Sequence, residues 1–114
     1  MKVTIATGKF HAFTNDDFAY LQKALALGEK LIIIVGESDV QNTISAQLST
    51  LKFTEFILQE EENENPYQNE LARLVGYRET SPDDNVELIY VENPDEKHKY
   101  LREFCSKNGI SYIS

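Results

Sequence analysis

Lys9 and His11 are the residues whose types and placement could meet a phosphate. They sit two positions apart in Gly8-Lys9-Phe10-His11, directly after a run that reads as a strand. The same ammonium and imidazole would serve equally as solvated loop groups. Thr14-Asn15-Asp16-Asp17 follows. His11, Asp16 and Asp17 are ligand types for a divalent cation. Adjacent acids at a helix start also cap the helix and suit its positive end, and the spacing favours that reading, so no metal site is expected. Cys105 is the single cysteine, which excludes an internal disulfide or a cysteine-based metal centre. It is expected as a small buried apolar group on a helix. His98 stands among Lys97, Lys99 and Arg102 and is expected on the exposed side of the last helix. The chain contains no P-loop, no Gly-x-Gly-x-x-Gly and no Ser-His-Asp arrangement.

The elements that must position these groups follow from residue pattern. Lys2 to Thr7 carries β-branched residues and ends at Gly8, which predicts a strand. Phe18, Leu21, Ala24 and Leu25 repeat with a 3.6-residue period after the Thr14/Asn15 cap, and Gly28 is expected as the C-terminal cap. Leu31 to Val35 is an unbroken apolar run closed by Gly36, as in a strand covered on both faces. These three elements make a βαβ unit with a right-handed crossover. Further helices are predicted over 39–51, 66–75 (stopped by Gly76) and 94–108, with strands over 53–58, 86–91 and 110–113. Tyr100, Leu101, Phe104 and Cys105 are expected on the inward face of the last helix. The alternating order makes one α/β domain, residues 1–114, a three-layer sandwich around a parallel sheet. Ligands of such sheets bind beyond the carboxyl ends of the strands where the strand order reverses. Here that is between the loops after the first and fourth strands.

The chain has 114 residues, enough for one core, with 41% apolar and 26% charged residues. A net charge of -8 excludes a general nucleic-acid binder and disfavours an anionic membrane surface. The longest apolar run is the five residues Leu31 to Val35, too short to span a bilayer. With no apolar leader and one cysteine, a cytoplasmic location is expected. From Glu55 to Glu96, thirteen acids meet only Arg73 and Arg78. Glu60, Glu61, Glu62 and Glu64 concentrate that charge. They form either a solubilising loop or a docking surface for a basic protein, with Tyr67 and Tyr77 as exposed contacts.

The segment from Ala6 to Gly36 resembles the opening βαβ unit of the cytidylyltransferase-like nucleotidyltransferases, which include nicotinamide mononucleotide adenylyltransferases. Gly8-Lys9-Phe10 stands at the family's Gly-x-Phe, Leu27-Gly28-Glu29 at its Leu-Gly-Asp and Leu31 to Val35 at its second strand, without a gap. The resemblance implies a five-stranded parallel Rossmann-like sheet. It also implies a nucleotide-binding crevice at Gly8, Lys9, Phe10, His11, Thr14 and Asp17. The His-x-Gly-His signature is degenerate, with Thr14 at its first position, Asp16 at the glycine and Asp17 at the second histidine. In the family that histidine contacts phosphate, whereas a carboxylate repels a triphosphate. A lost charge-assisted hydrogen bond alone costs about 1.5–3 kcal/mol, roughly one to two decades in rate. The family's Ile-Ser-Ser/Thr-Thr-x-x-Arg signature after the fifth strand has no counterpart. The resemblance therefore implies a kept fold with no catalytic residues and no cofactor: a pseudoenzyme that binds a protein partner or a nucleotide-like ligand. The alternatives are an active cytidylyl or adenylyl transferase using Lys9, His11 and Thr14 with Mg²⁺, and an acidic inhibitor of a nucleic-acid enzyme. Relatives often dimerise, so a homodimer is compatible with the resemblance.

Overall fold

In a computed structural model, the described residues are 1–10, 14–36, 54–58, 65–80 and 85–114. The predicted helix over 39–51 and the acidic loop around Glu60 to Glu64 lie outside them. The elements are β1 (Lys2–Gly8), α1 (Asn15–Ala26), β2 (Lys30–Val35), β3 (Thr54–Leu58), α2 (Gln68–Thr80), β4 (Glu87–Val91), α3 (Lys99–Lys107) and β5 (Ser111–Ile113). The five strands form one sheet in the order β3-β2-β1-β4-β5, and every neighbouring pair is parallel. Residues 3–8 of β1 and Leu31 to Val35 of β2 are buried, as strands covered on both faces must be.

The strand period of two divides the core. Ala6, Leu31, Ile33, Val35, Ile89 and Val91 point to the α1 side and meet Tyr20, Leu21 and Ala24. Val3, Ile5, Ile32, Ile34, Leu88 and Tyr90 point the other way, toward Leu71 and Leu74 of α2 and Leu101 and Cys105 of α3. This is the expected three-layer α/β/α arrangement. Among the described residues, no helix is long and apolar enough to cross a membrane.

Several boundaries differ from expectation. Helix α1 ends at Ala26 with Leu27 as a right-handed cap residue, and Gly28 after it does not adopt a positive φ, so it is not a left-handed cap. Gly28 is instead required by close approach: a Cβ there would lie 2.9 Å from the Lys2 carbonyl oxygen and 3.0 Å from Thr4 Cγ2. That carbonyl already accepts from the Glu29 amide at 2.8 Å and is part of the backbone, so it cannot retreat freely. Gly28→Ala is expected to destabilise the fold by about 1–3 kcal/mol through overpacking. An unchanged urea midpoint would show that the turn yields without cost.

Helix α2 runs straight through Gly76 to Thr80 instead of stopping before it. Among the described residues, nothing lies within 4 Å of an added Cβ there. The inward leucines of α2 outweigh the glycine's propensity cost of about 1 kcal/mol. Helix α3 begins at Lys99, not near Pro94, because the chain first makes a turn. In that turn the Asp95 amide donates to Asn93 Oδ1 at 2.9 Å and the Glu96 amide to the Asn93 carbonyl at 3.1 Å. His98 is the extended cap residue of α3, half-buried between the Tyr67 and Tyr100 rings, not exposed as expected. At the other end, Arg78 of α2 donates to the carbonyls of Asn108 (2.7 Å) and Gly109 (3.2 Å). A cation there satisfies orphan acceptors at the negative end of α3.

Candidate functional site

The topology puts the reversal of strand order at β1 and β4. Pairing of β1 with β4 stops at Ile5–Tyr90, while pairing of β1 with β2 continues to Gly8–Val35. The last residues of β1 therefore leave β4 and open the crevice in which ligands of such sheets bind. Here the chain's own groups span that gap.

Tyr20 reaches it from α1. Its hydroxyl accepts from the Thr7 amide at 3.1 Å and donates to the Val91 carbonyl at 2.6 Å. Asn93, only 4% exposed, donates through Nδ2 to the Thr7 carbonyl at 2.9 Å. Thr7 Oγ1 and the Tyr90 hydroxyl share a 2.8 Å hydrogen bond. Burial raises both tyrosine phenols above their ordinary range, so they remain neutral donors. Phe10 completes the closure. Its backbone lies in the left-handed region (φ 52°), its side chain is 7% exposed, and its ring centroid is 6.5 Å from that of Tyr20. A Cβ on Gly8 would come within 2.7 Å of the Phe10 ring and 2.8 Å of Asn93 Nδ2, so this position needs glycine.

The start of α1 is likewise occupied from within. Thr14 is the cap residue, and its Oγ1 accepts from the Asp17 amide at 3.2 Å. Asp17 Oδ2 accepts from the Thr14 amide at 3.0 Å and from Thr14 Oγ1 at 3.1 Å. This reciprocal capping box places a carboxylate at the positive end of the helix, where an anionic ligand would otherwise gain most. Asp17 is 9% exposed, so its charge is largely committed to that role.

Beside this closed crevice lies an open groove of ≈ 680 Å³. Asp16, Ala19, Tyr20 and Lys23 of α1 form one wall, with Glu92, Pro94, Asp95 and Lys97 after β4, and Ser114 after β5, forming the other. Three carboxylates against two ammonium groups make an inhospitable seat for a polyphosphate. Lys23 is further drawn toward the Ser114 carbonyl at 3.4 Å.

The residues singled out from sequence are thus partly brought together. Gly8 and Phe10 meet at the strand ends, and Thr14 and Asp17 pair at the helix start. Lys9 is exposed, and His11 lies outside the described residues. No group of three metal-ligating side chains occurs among the described residues. Glu60, Glu61, Glu62 and Glu64 also lie outside them. Tyr67 is a correction: expected as an exposed docking contact, it is fully buried. It precedes α2 with a left-handed backbone (φ 72°), its ring joins Leu71 and Leu74 in the core, and its hydroxyl donates to both Glu96 carboxylate oxygens at 2.8 and 3.0 Å. Tyr77 is 66% exposed, as expected. Tyr20 and Glu96 were not singled out from sequence, whereas Asn93 begins the loop after the fourth strand, one of the two expected to border the crevice. The only local signal for Tyr20 was its place four residues before Ala24 on the inward face of α1.

No family model matches the chain, and no match was found among curated proteins by sequence. Solved structures do match. One is the crystal structure of the lipopolysaccharide core biosynthesis protein from Thermoplasma volcanium. It is 22% identical with a TM-score of 0.56, and the alignment covers 100% of this chain and 97% of that one. This chain shares that protein's fold. The likeness extends over the whole α/β domain, not only the opening βαβ unit, and at this identity it speaks to architecture alone.

Proposed function

We propose that the chain is a catalytically degenerate member of the cytidylyltransferase-like nucleotidyltransferases that acts by binding. The observation that carries this reading is the Asp17 carboxylate, held by Thr14 at the start of α1. The helix end that would receive a phosphate already has an internal anion. A triphosphate would have to displace Asp17 from two hydrogen bonds and then sit beside it. Asp16, Glu92 and Asp95 in the adjoining groove add to the repulsion.

Carboxylate excess favours a protein partner with a basic surface over a nucleotide. The groove and the acidic stretch from Glu60 to Glu64 would attract the same kind of partner. Incubation with CTP or ATP, Mg²⁺ and a phosphorylated acceptor is expected to release no pyrophosphate, and release would overturn the degenerate reading. In thermal shift, nucleoside triphosphates are expected to leave the melting temperature unchanged. A ligand at 100 times its dissociation constant would add about 2.7 kcal/mol, and a shift of that size would move the reading to a nucleotide-like ligand in the groove.

A further inference from the structure

We propose that the open groove between α1 and the loop after β4 is a docking seat for an arginine-bearing segment of a partner protein. The inference deepens the binding reading above and rests on it for the kind of partner.

The groove has two walls, and both are held from within. Tyr20 ties the α1 wall to the sheet through the Val91 carbonyl. Asn93 ties the loop wall to the Thr7 carbonyl and accepts from the Asp95 amide. Walls that need no ordering on association lower its cost. The volume of ≈ 680 Å³ falls within the range of ligand pockets.

The lining selects the occupant. Ala19, Tyr20 and Pro94 offer apolar surface, while Asp16, Glu92 and Asp95 offer carboxylates. Among the described residues, none of these three acids is paired with a cation. The ion pairs lie elsewhere, at Arg78–Glu79, His98–Glu96 and Lys99–Glu103. Lys23, in the same groove, is drawn to the Ser114 carbonyl instead. Capping of α1 does not use Asp16 either, because Asp17 closes the box with Thr14. Glu92 also faces the Tyr112 phenol, which leaves Asp16 and Asp95, both exposed, as the free acids of the two walls. A side chain with an apolar stem and a cationic head matches both halves of this lining. Arginine suits it better than lysine, because its planar fork can engage a carboxylate from each wall at once. A second copy of this chain is a poor occupant, since each carries a net charge of -8.

The test titrates the protein with the acetylated, amidated peptide Ala-Arg-Leu-Arg-Ala, with its lysine counterpart and with spermidine. In wild type, the backbone amide signals of Ala19, Lys23 and Asp95 are expected to move with the arginine peptide, and unmoved signals overturn the seat without any variant. Asp16→Asn with Asp95→Asn removes one carboxylate from each wall and adds no bulk. Glu29→Gln with Glu87→Gln is the control, because it removes the same charge from exposed positions at the opposite, amino-terminal end of the strands. By calorimetric titration, the groove variant is expected to bind the arginine peptide roughly ten-fold more weakly than wild type, and the control within about two-fold. Equal losses in the two variants overturn the seat, since they reduce it to general attraction. Spermidine or the lysine peptide binding as tightly as the arginine peptide overturns it as well. The two readings fail in distinguishable ways. Pyrophosphate release by wild type sinks the degenerate reading, whereas equal losses without release sink the groove alone.

Discussion

Above about pH 10 the protein is expected to lose stability steeply and unfold cooperatively. Tyr20, Tyr67 and Tyr90 are buried, and in each the burial raises the phenol above its ordinary value of 10.0. For Tyr67 the Glu96 carboxylate that accepts its hydrogen bond pushes in the same direction. Burial also moves Tyr100 up to about 12 and the Cys105 thiol up to about 12. The sign follows from proton counting. In the unfolded chain these groups ionise near their ordinary values, while the folded protein keeps them protonated. The native state therefore binds more protons at high pH, and stability falls as pH rises. The contribution is fully present below the unfolded values and is lost on the way up to the folded ones.

Each buried phenol removes about 1.4 kcal/mol per pH unit. The three fully enclosed tyrosines together remove about 4 kcal/mol per unit, and the thiol adds to this from about pH 9. A typical domain holds about 5–15 kcal/mol in total, so two to three units suffice to unfold it. Urea midpoints measured from pH 8 to 12 should fall from about pH 9 upward, with tyrosine ionisation appearing together with loss of the native circular dichroism. Ionisation of all tyrosines near pH 10 with the fold intact would contradict the burial on which the argument stands.

What could be read from the sequence was local. The run Leu31 to Val35 has one physical solution, a strand covered on both faces, and it forms one with Lys30 added. A cap at Thr14 or Asn15 and acids suited to the helix dipole were legible, and the structure selects Thr14 and adds the reciprocal bond from Asp17. Glycines were misjudged where their role is tertiary. Gly28 looked like a helix stop, yet what requires it is the Lys2 carbonyl on a neighbouring strand. Gly76 looked like a stop as well, but the face formed by Leu71 and Leu74 carries α2 through it. Tyr67 shows the same limit. Its position beside an acidic run suggested solvent, whereas a left-handed backbone just before α2 and the distant Glu96 carboxylate hold it in the core. The stitches across the site were beyond reach, because Tyr20 to Val91 and Asn93 to Thr7 join residues 71 and 86 positions apart. Only the sheet order brings them together.

Of those stitches, the Tyr20 hydroxyl is expected to matter most. Tyr20→Phe keeps the ring and its packing against Leu21 and Ala24, and removes a single oxygen. That oxygen serves two buried backbone groups at once, the Thr7 amide and the Val91 carbonyl. Each orphaned group costs about 1–3 kcal/mol, so the substitution is expected to destabilise by about 2–6 kcal/mol. Tyr90→Phe is the control. Among the described residues its hydroxyl bonds a side chain, Thr7 Oγ1, and no backbone group, so its cost should stay near 1 kcal/mol. The difference between the two is thus a measure of backbone against side-chain satisfaction at one strand end. Urea unfolding with an unchanged slope gives both values. Amide exchange locates the effect: Thr7 should exchange much faster in Tyr20→Phe, while Ile33, deep in β2, should slow or quicken only with global stability. Equal costs for the two variants, or an unaltered Thr7 exchange rate, would mean that β1 and β4 are held together past Ile5 by Asn93 and Phe10 without help from α1.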